Sequence, residues 1–174
     1  MKDFFGSLFV SAMSIYNILM PDVRYSVMIL PRRSDGSILL QSWTKESVIT
    51  TDGFGSFYQP DDDPEQTAQR ELTKNFGIEA ALTKAAQLQY YMDKPTGLVD
   101  LKITIYFADV KEYPKLQKQM HWFAPSDIPY PQMHDATSNW LPIILEKPEL
   151  LTATIKVSQP GDHTAGKVTE FTVN

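Results

Sequence analysis

Residues 53–78 read Gly-Phe-Gly-Ser-Phe-Tyr-Gln-Pro-Asp-Asp-Asp-Pro-Glu-Gln-Thr-Ala-Gln-Arg-Glu-Leu-Thr-Lys-Asn-Phe-Gly-Ile, a glycine turn, a short strand, an acidic loop and a bounded helix. Asp63 is placed to cap the helix, and Pro64 suits its first position, where a missing N–H costs nothing. Gln66, three residues beyond the cap, can close a capping box. Ala68, Leu72 and Phe76 recur at i, i+4 and i+8 and make one apolar stripe. Gly77 stands where a left-handed cap ends a helix. Glu71, Lys74 and Asn75, at i, i+3 and i+4, share a second face of it.

This stretch resembles the Nudix box, in which a glycine and then a glutamate precede a helix reading R-E-U-x-E-E-x-G-U, with U a bulky aliphatic. Arg70, Glu71, Leu72, Gly77 and Ile78 match; Asp62 stands for the first glutamate, Ser56 for the opening glycine, and Lys74 and Asn75 for the paired glutamates. The resemblance implies an α/β fold, the Nudix α/β/α sandwich with a mixed β-sheet. It also implies pyrophosphate hydrolysis assisted by Mg²⁺, a hard cation that takes carboxylate and water ligands. In the family the helix face gathers the metal with three carboxylates. Here it offers one carboxylate, one amide and one ammonium, and Lys74 repels the cation.

Within the family the chain is most similar to the MutT-type branch, which hydrolyses oxidised purine nucleoside triphosphates. Asp52-Gly53-Phe54-Gly55 resembles that branch's glycine turn, Trp122 to Pro129 its W-F…I-P segment, and Met133 to Pro142 its last motif. The branch reads its purine with an asparagine before the turn and an acidic pair in the last motif, where this chain has Asp52 and Ala136-Thr137. His134 replaces its stacking tryptophan. The resemblance therefore implies Glu71 and Arg70 as catalytic residues, Glu71 and Asp62 as metal ligands, and Asp52, Phe54, His134, Asp135 and Trp140 as substrate-binding residues. It does not carry over the oxidised purine.

Each of these residues also has a structural reading. Glu71 can pair with Arg70 or a loop backbone, and Arg70 orients a carboxylate rather than touching substrate. Asp61-Asp62-Asp63 reads as a solvated turn more readily than as a replacement metal site. Trp140, at a helix start, reads as core. His134 and Asp135 suit a surface turn as well as a base pocket.

The 174-residue length suits one domain with a sizeable core. A net charge of −5 argues against nonspecific nucleic-acid binding, which needs a basic face, and leaves a nucleotide-like small molecule open. The absence of cysteine removes disulfide and thiolate chemistry, and the wide spacing of His121, His134 and His163 disfavours a zinc site.

Residues 4–20 carry no charge, but Gly6, three serines and Asn17 interrupt the run, so no transmembrane segment is expected. Ser7, Ser11, Ser14 and Asn17 fall on one helical stripe, opposite Phe5, Leu8, Phe9, Ala12, Tyr16 and Leu19. Residues 1–22 thus read as an amphipathic helical extension that docks on its own domain or a partner, self-association included, with membrane-surface attachment the alternative. A signal peptide is disfavoured, and a cytoplasmic location is expected.

Residues 23–174 form the Nudix domain of this reading. Strands are expected at 25–30, 37–43, 85–92, 99–110, 121–123, 151–157 and 167–173, with a loop at 44–52 and a second helix at 139–146. Three functions fit: a weak or diverged hydrolase of nucleoside diphosphate-linked or triphosphate substrates; a catalytically inactive nucleotide-binding module; and a partner-binding protein led by its N-terminal helix.

Overall fold

The computed structural model describes residues 22–45, 47–94, 97–111, 116–158 and 166–174. The expected helix at 4–20, the turn at Pro95-Thr96 and the hairpin tip at Pro160-Gly161 lie outside the described residues.

The strands are β1 (Asp22–Arg32), β2 (Ile38–Lys45), β3 (Val48–Asp52), β4 (Phe54–Tyr58), β5 (Ala81–Lys94), β6 (Gly97–Asp109), β7 (Met120–Phe123), β8 (Leu151–Ser158) and β9 (Lys167–Val173). The helices are α1 (Pro64–Phe76) and α2 (Thr137–Glu146). The sheet runs β3-β2-β1-β6-β5-β8-β9, with β4 added to β1 and β7 to β2. It is mixed, since β1–β6 and β5–β8 are parallel and the other pairs antiparallel.

The central strands are apolar on both sides because a helix covers each face. Val27, Ile29, Leu39, Tyr106 and Ala108 pack under Ala68 and Leu72 of α1. Leu30, Leu40, Leu88, Ile105 and Phe107 pack under Trp140, Leu141 and Ile144 of α2. This is the α/β/α sandwich expected from the sequence. Along β6, Ile105, Tyr106, Phe107 and Ala108 are buried in succession, as a central strand requires.

α1 has the expected bounds. Asp63 accepts the Glu65 N–H at 2.8 Å, and Gly77 closes the helix at φ 68°, its N–H bonded to the Thr73 carbonyl. α2 begins two residues earlier than expected, at Thr137, in a turn where Ser138 and Asn139 both donate to the Asp135 carbonyl.

The expected loop at 44–52 is a correction. Val48-Ile49-Thr50-Thr51 is a β-branched run, and Ser47, at φ 69°, turns it back on β2 with Gln41 opposite Asp52. β3 then breaks at Gly53 and resumes as β4 on the edge of β1. Here β1 changes neighbours: it meets β2 at Arg32–Ile38 and β4 from Ile29–Phe54 to Tyr25–Tyr58. Gly53 must be glycine, because a Cβ there would lie 2.8 Å from Leu30 Cδ2, 2.9 Å from Met28 Cγ and 3.1 Å from the Ile29 carbonyl. The corner carries Asp52.

Candidate functional site

Polar side chains gather in two places, on α1 and at this corner. Glu71 is buried, and its Oε2 is 3.5 Å from both the Lys74 ammonium and the Asn75 amide nitrogen. Asn75 also donates to the Glu71 carbonyl at 2.8 Å, which fixes the amide above the carboxylate. The pairing partners of Glu71 are thus the two residues that replace carboxylates in the box pattern. Arg70 is exposed and turns to the Thr67 hydroxyl at 3.4 Å.

Asp62 sits in an exposed turn, where its Oδ2 accepts the Gln59 N–H at 3.0 Å. Among the described residues, no three histidine, aspartate or glutamate side chains gather to hold a metal ion. A magnesium ion needs several hard oxygens and no cation among them. The α1 face offers one carboxylate, already held by an ammonium and an amide, so its residues do not fit the ion that the fold implies.

The second group lies at the end of β3. The Asp52 carboxylate accepts the Gly53 N–H at 2.8 Å, and its Oδ2 is 3.9 Å from His134 Nε2. Burial pushes the Asp52 carboxyl above the ordinary carboxylate range, against the opposing pull of the Gly53 N–H and His134. The Asp52 charge also reaches Tyr90, whose hydroxyl accepts the Trp140 indole N–H at 2.9 Å and is held un-ionised mainly by burial. Beside them Ser42 and Thr51 share a hydrogen bond of 2.8 Å, and Thr51 donates to Gln132 at 3.3 Å.

The fold therefore brings Asp52, His134 and Trp140 to one region, although Trp140 is fully buried and serves as its floor. Phe54 is buried and meets Phe76 edge to face, with ring centroids 4.8 Å apart. The Asp135 Oδ2 accepts the Val168 N–H of β9 at 2.8 Å. Tyr90, Thr51 and Gln132 were not singled out from the sequence, since their partners lie far along the chain.

No family model matches this sequence, and no curated protein matches it. Solved structures do. A MutT protein from Bacillus halodurans superposes with a TM-score of 0.68 at 13% identity, over 87% of this chain and 97% of that one. A protein from Jonesia denitrificans described as a possible asymmetric diadenosine tetraphosphate hydrolase gives 0.55 at 15%, over 75% and 98%. A MutT protein from Methanosarcina mazei gives 0.53 at 18%, over 74% and 94%. At these identities the likeness shows the fold.

Proposed function

We propose that this protein of the Nudix fold, MutT-like in form, binds a nucleotide-like small molecule and has kept only residual pyrophosphohydrolysis. The observation that carries the reading is the contact of Lys74 and Asn75 with Glu71. A carboxylate with an ammonium and an amide beside its Oε2 is a poor ligand for a divalent ion, and metal-assisted cleavage depends on that ion.

The likeness in fold supports the substrate class, since one of the similar structures is described as a possible diadenosine tetraphosphate hydrolase. A nucleoside triphosphate or a diphosphate-linked nucleoside is the corresponding ligand here. Asp52, His134 and the Tyr90–Trp140 floor form a partly buried, polar end that suits a base edge. Asp52 in its ionised form only accepts hydrogen bonds, whereas an asparagine there would also donate. The preferred base is therefore one that presents N–H groups. The negative net charge fits a soluble, cytoplasmic protein that does not bind nucleic acid, and no described helix is long and apolar enough to cross a membrane.

The test is calorimetry with a panel of nucleotides, beside phosphate release in excess Mg²⁺. Binding with turnover near background is expected. Brisk Mg²⁺-dependent release that Glu71→Gln abolishes would overturn the reading.

A second reading, a partner-binding module, is favoured by the β2–β3 hairpin, where Trp43, Val48 and Ile49 are exposed on the sheet's edge. Residues 4–20 are the other candidate for self-association or partner contact. A monomer at all concentrations, with and without residues 4–20, would remove self-association from this reading.

A further inference from the structure

Arg70 and Lys74 are one turn apart on α1, so both cations leave the helix on the same side. Both are exposed. Glu71 lies beneath them: its side chain is 10% exposed, against 71% for Lys74. The Asn75 amide is anchored to the Glu71 carbonyl and presents its nitrogen to the same patch. Toward solvent, the face presents a guanidinium and an ammonium. Its single carboxylate leaves it net positive, a surface suited to an anion.

Its position matters too. Phe76, two residues beyond Lys74, packs on Phe54, two residues beyond Asp52. This contact sets the C-terminal end of α1 against β4, the strand that follows the Asp52 corner.

We infer that Arg70 and Lys74 bind the phosphates of the ligand directly, and that the protein takes its nucleotide in the metal-free form. The inference rests on the reading that the Asp52 end receives the nucleoside part. The Lys74 ammonium supplies the charge neutralisation that a divalent ion would otherwise give, and the Arg70 fork adds a second set of donors. Magnesium opposes this binding, because a chelated phosphate chain has lost negative charge and has fewer free oxygens. Added salt weakens it too, since the patch is exposed.

The test measures affinities of a nucleoside triphosphate, its parent nucleoside and inorganic pyrophosphate by calorimetry, in chelator and in excess Mg²⁺. In chelator, Lys74→Met should weaken triphosphate and pyrophosphate by about tenfold and leave the nucleoside unchanged, while Lys74→Arg retains most of the affinity. Excess Mg²⁺ should weaken triphosphate binding to the natural protein. Stronger triphosphate binding in Mg²⁺, or an unchanged affinity in Lys74→Met, overturns the inference. Lys74-dependent binding of pyrophosphate without any nucleoside binding keeps the inference and removes the Asp52 reading. Nucleoside binding without pyrophosphate binding does the reverse, and silence from all three ligands removes both.

Discussion

The Asp52 carboxylate lies 3.9 Å from His134 Nε2, across the corner where β3 passes into β4. One partner is an acid raised by burial, the other an imidazole whose side chain is 55% exposed. The pair joins the sheet's interior to its surface. Burial outweighs the pull of His134 and the Gly53 N–H, and that balance gives the site a pH dependence.

The sign is set by linkage. The folded-state pKa of Asp52 lies above the ordinary value of 3.8, so between the two the folded protein holds more protons. The contribution to stability is full below pH 3.8 and is lost as pH rises through the folded-state pKa. Asp52→Asn stays neutral at every pH and keeps an acceptor for the Gly53 N–H. It should melt higher than the natural protein at neutral pH, with the gain vanishing as pH falls toward 4. A constant difference across pH would show that Asp52 titrates normally. His134→Ala should push the transition still higher, because it removes one of the two influences that lower the carboxyl.

The floor of the site makes a separate prediction. Trp140→Phe keeps an aromatic ring but removes the donor to the buried Tyr90 hydroxyl, at a cost of about 1–3 kcal/mol. Trp140→Ala should cost about 3–5 kcal/mol, the range for emptying a buried aromatic position. Denaturant midpoints with unchanged slopes would measure both. Equal losses in the two variants would mean that the indole N–H, and not packing, sets the role of Trp140.

Gly53 tests the corner itself. Gly53→Ala would place a methyl group 2.8 Å from Leu30 Cδ2 and 3.1 Å from the Ile29 carbonyl. The side chains can yield but the carbonyl of a central strand cannot, so a loss of about 1–3 kcal/mol is expected. Thermal melting of Gly53→Ala with stability equal to the natural protein would show that β1 and β4 separate easily.

How much of this was legible in the sequence depended on how local each signal was. α1 could be read to the residue because Asp63, Pro64 and Gly77 act on the backbone within one turn of themselves. The β3 strand was read as a loop because a short β-branched run becomes a strand only when β2 lies beside it. Phe54 reads as a substrate residue by resemblance, and its packing against Phe76 shows only once a helix crosses the sheet. Asp135 likewise found its partner in β9, and Tyr90 found Trp140, pairings that no spacing announces. That Lys74 and Asn75 share a helix face with Glu71 is plain from the spacing. That those same residues would bind Glu71 needed the geometry.

The last prediction restores what α1 lacks. At an effective dielectric of about 20 and a separation of about 5 Å, a divalent cation and an ammonium repel by roughly 6 to 7 kcal/mol before screening. Lys74 is 71% exposed and can swing away, so the realised penalty is much smaller. Even about 1.4 kcal/mol corresponds to tenfold in affinity. Lys74→Glu with Asn75→Glu removes the repulsion, frees Glu71 from its two contacts and sets three carboxylates at i, i+3 and i+4. Mg²⁺ binding by calorimetry should strengthen by more than about tenfold over the natural protein. Phosphate release from nucleoside triphosphates should then rise above background, and Glu71→Gln in the double variant should reverse both gains. The single change Asn75→Glu should recover little, since Lys74 still holds Glu71. If the double variant binds Mg²⁺ no better than the natural protein, the α1 face is not the place where this fold would hold its metal, and the proposal that Lys74 and Asn75 weaken hydrolysis falls with it.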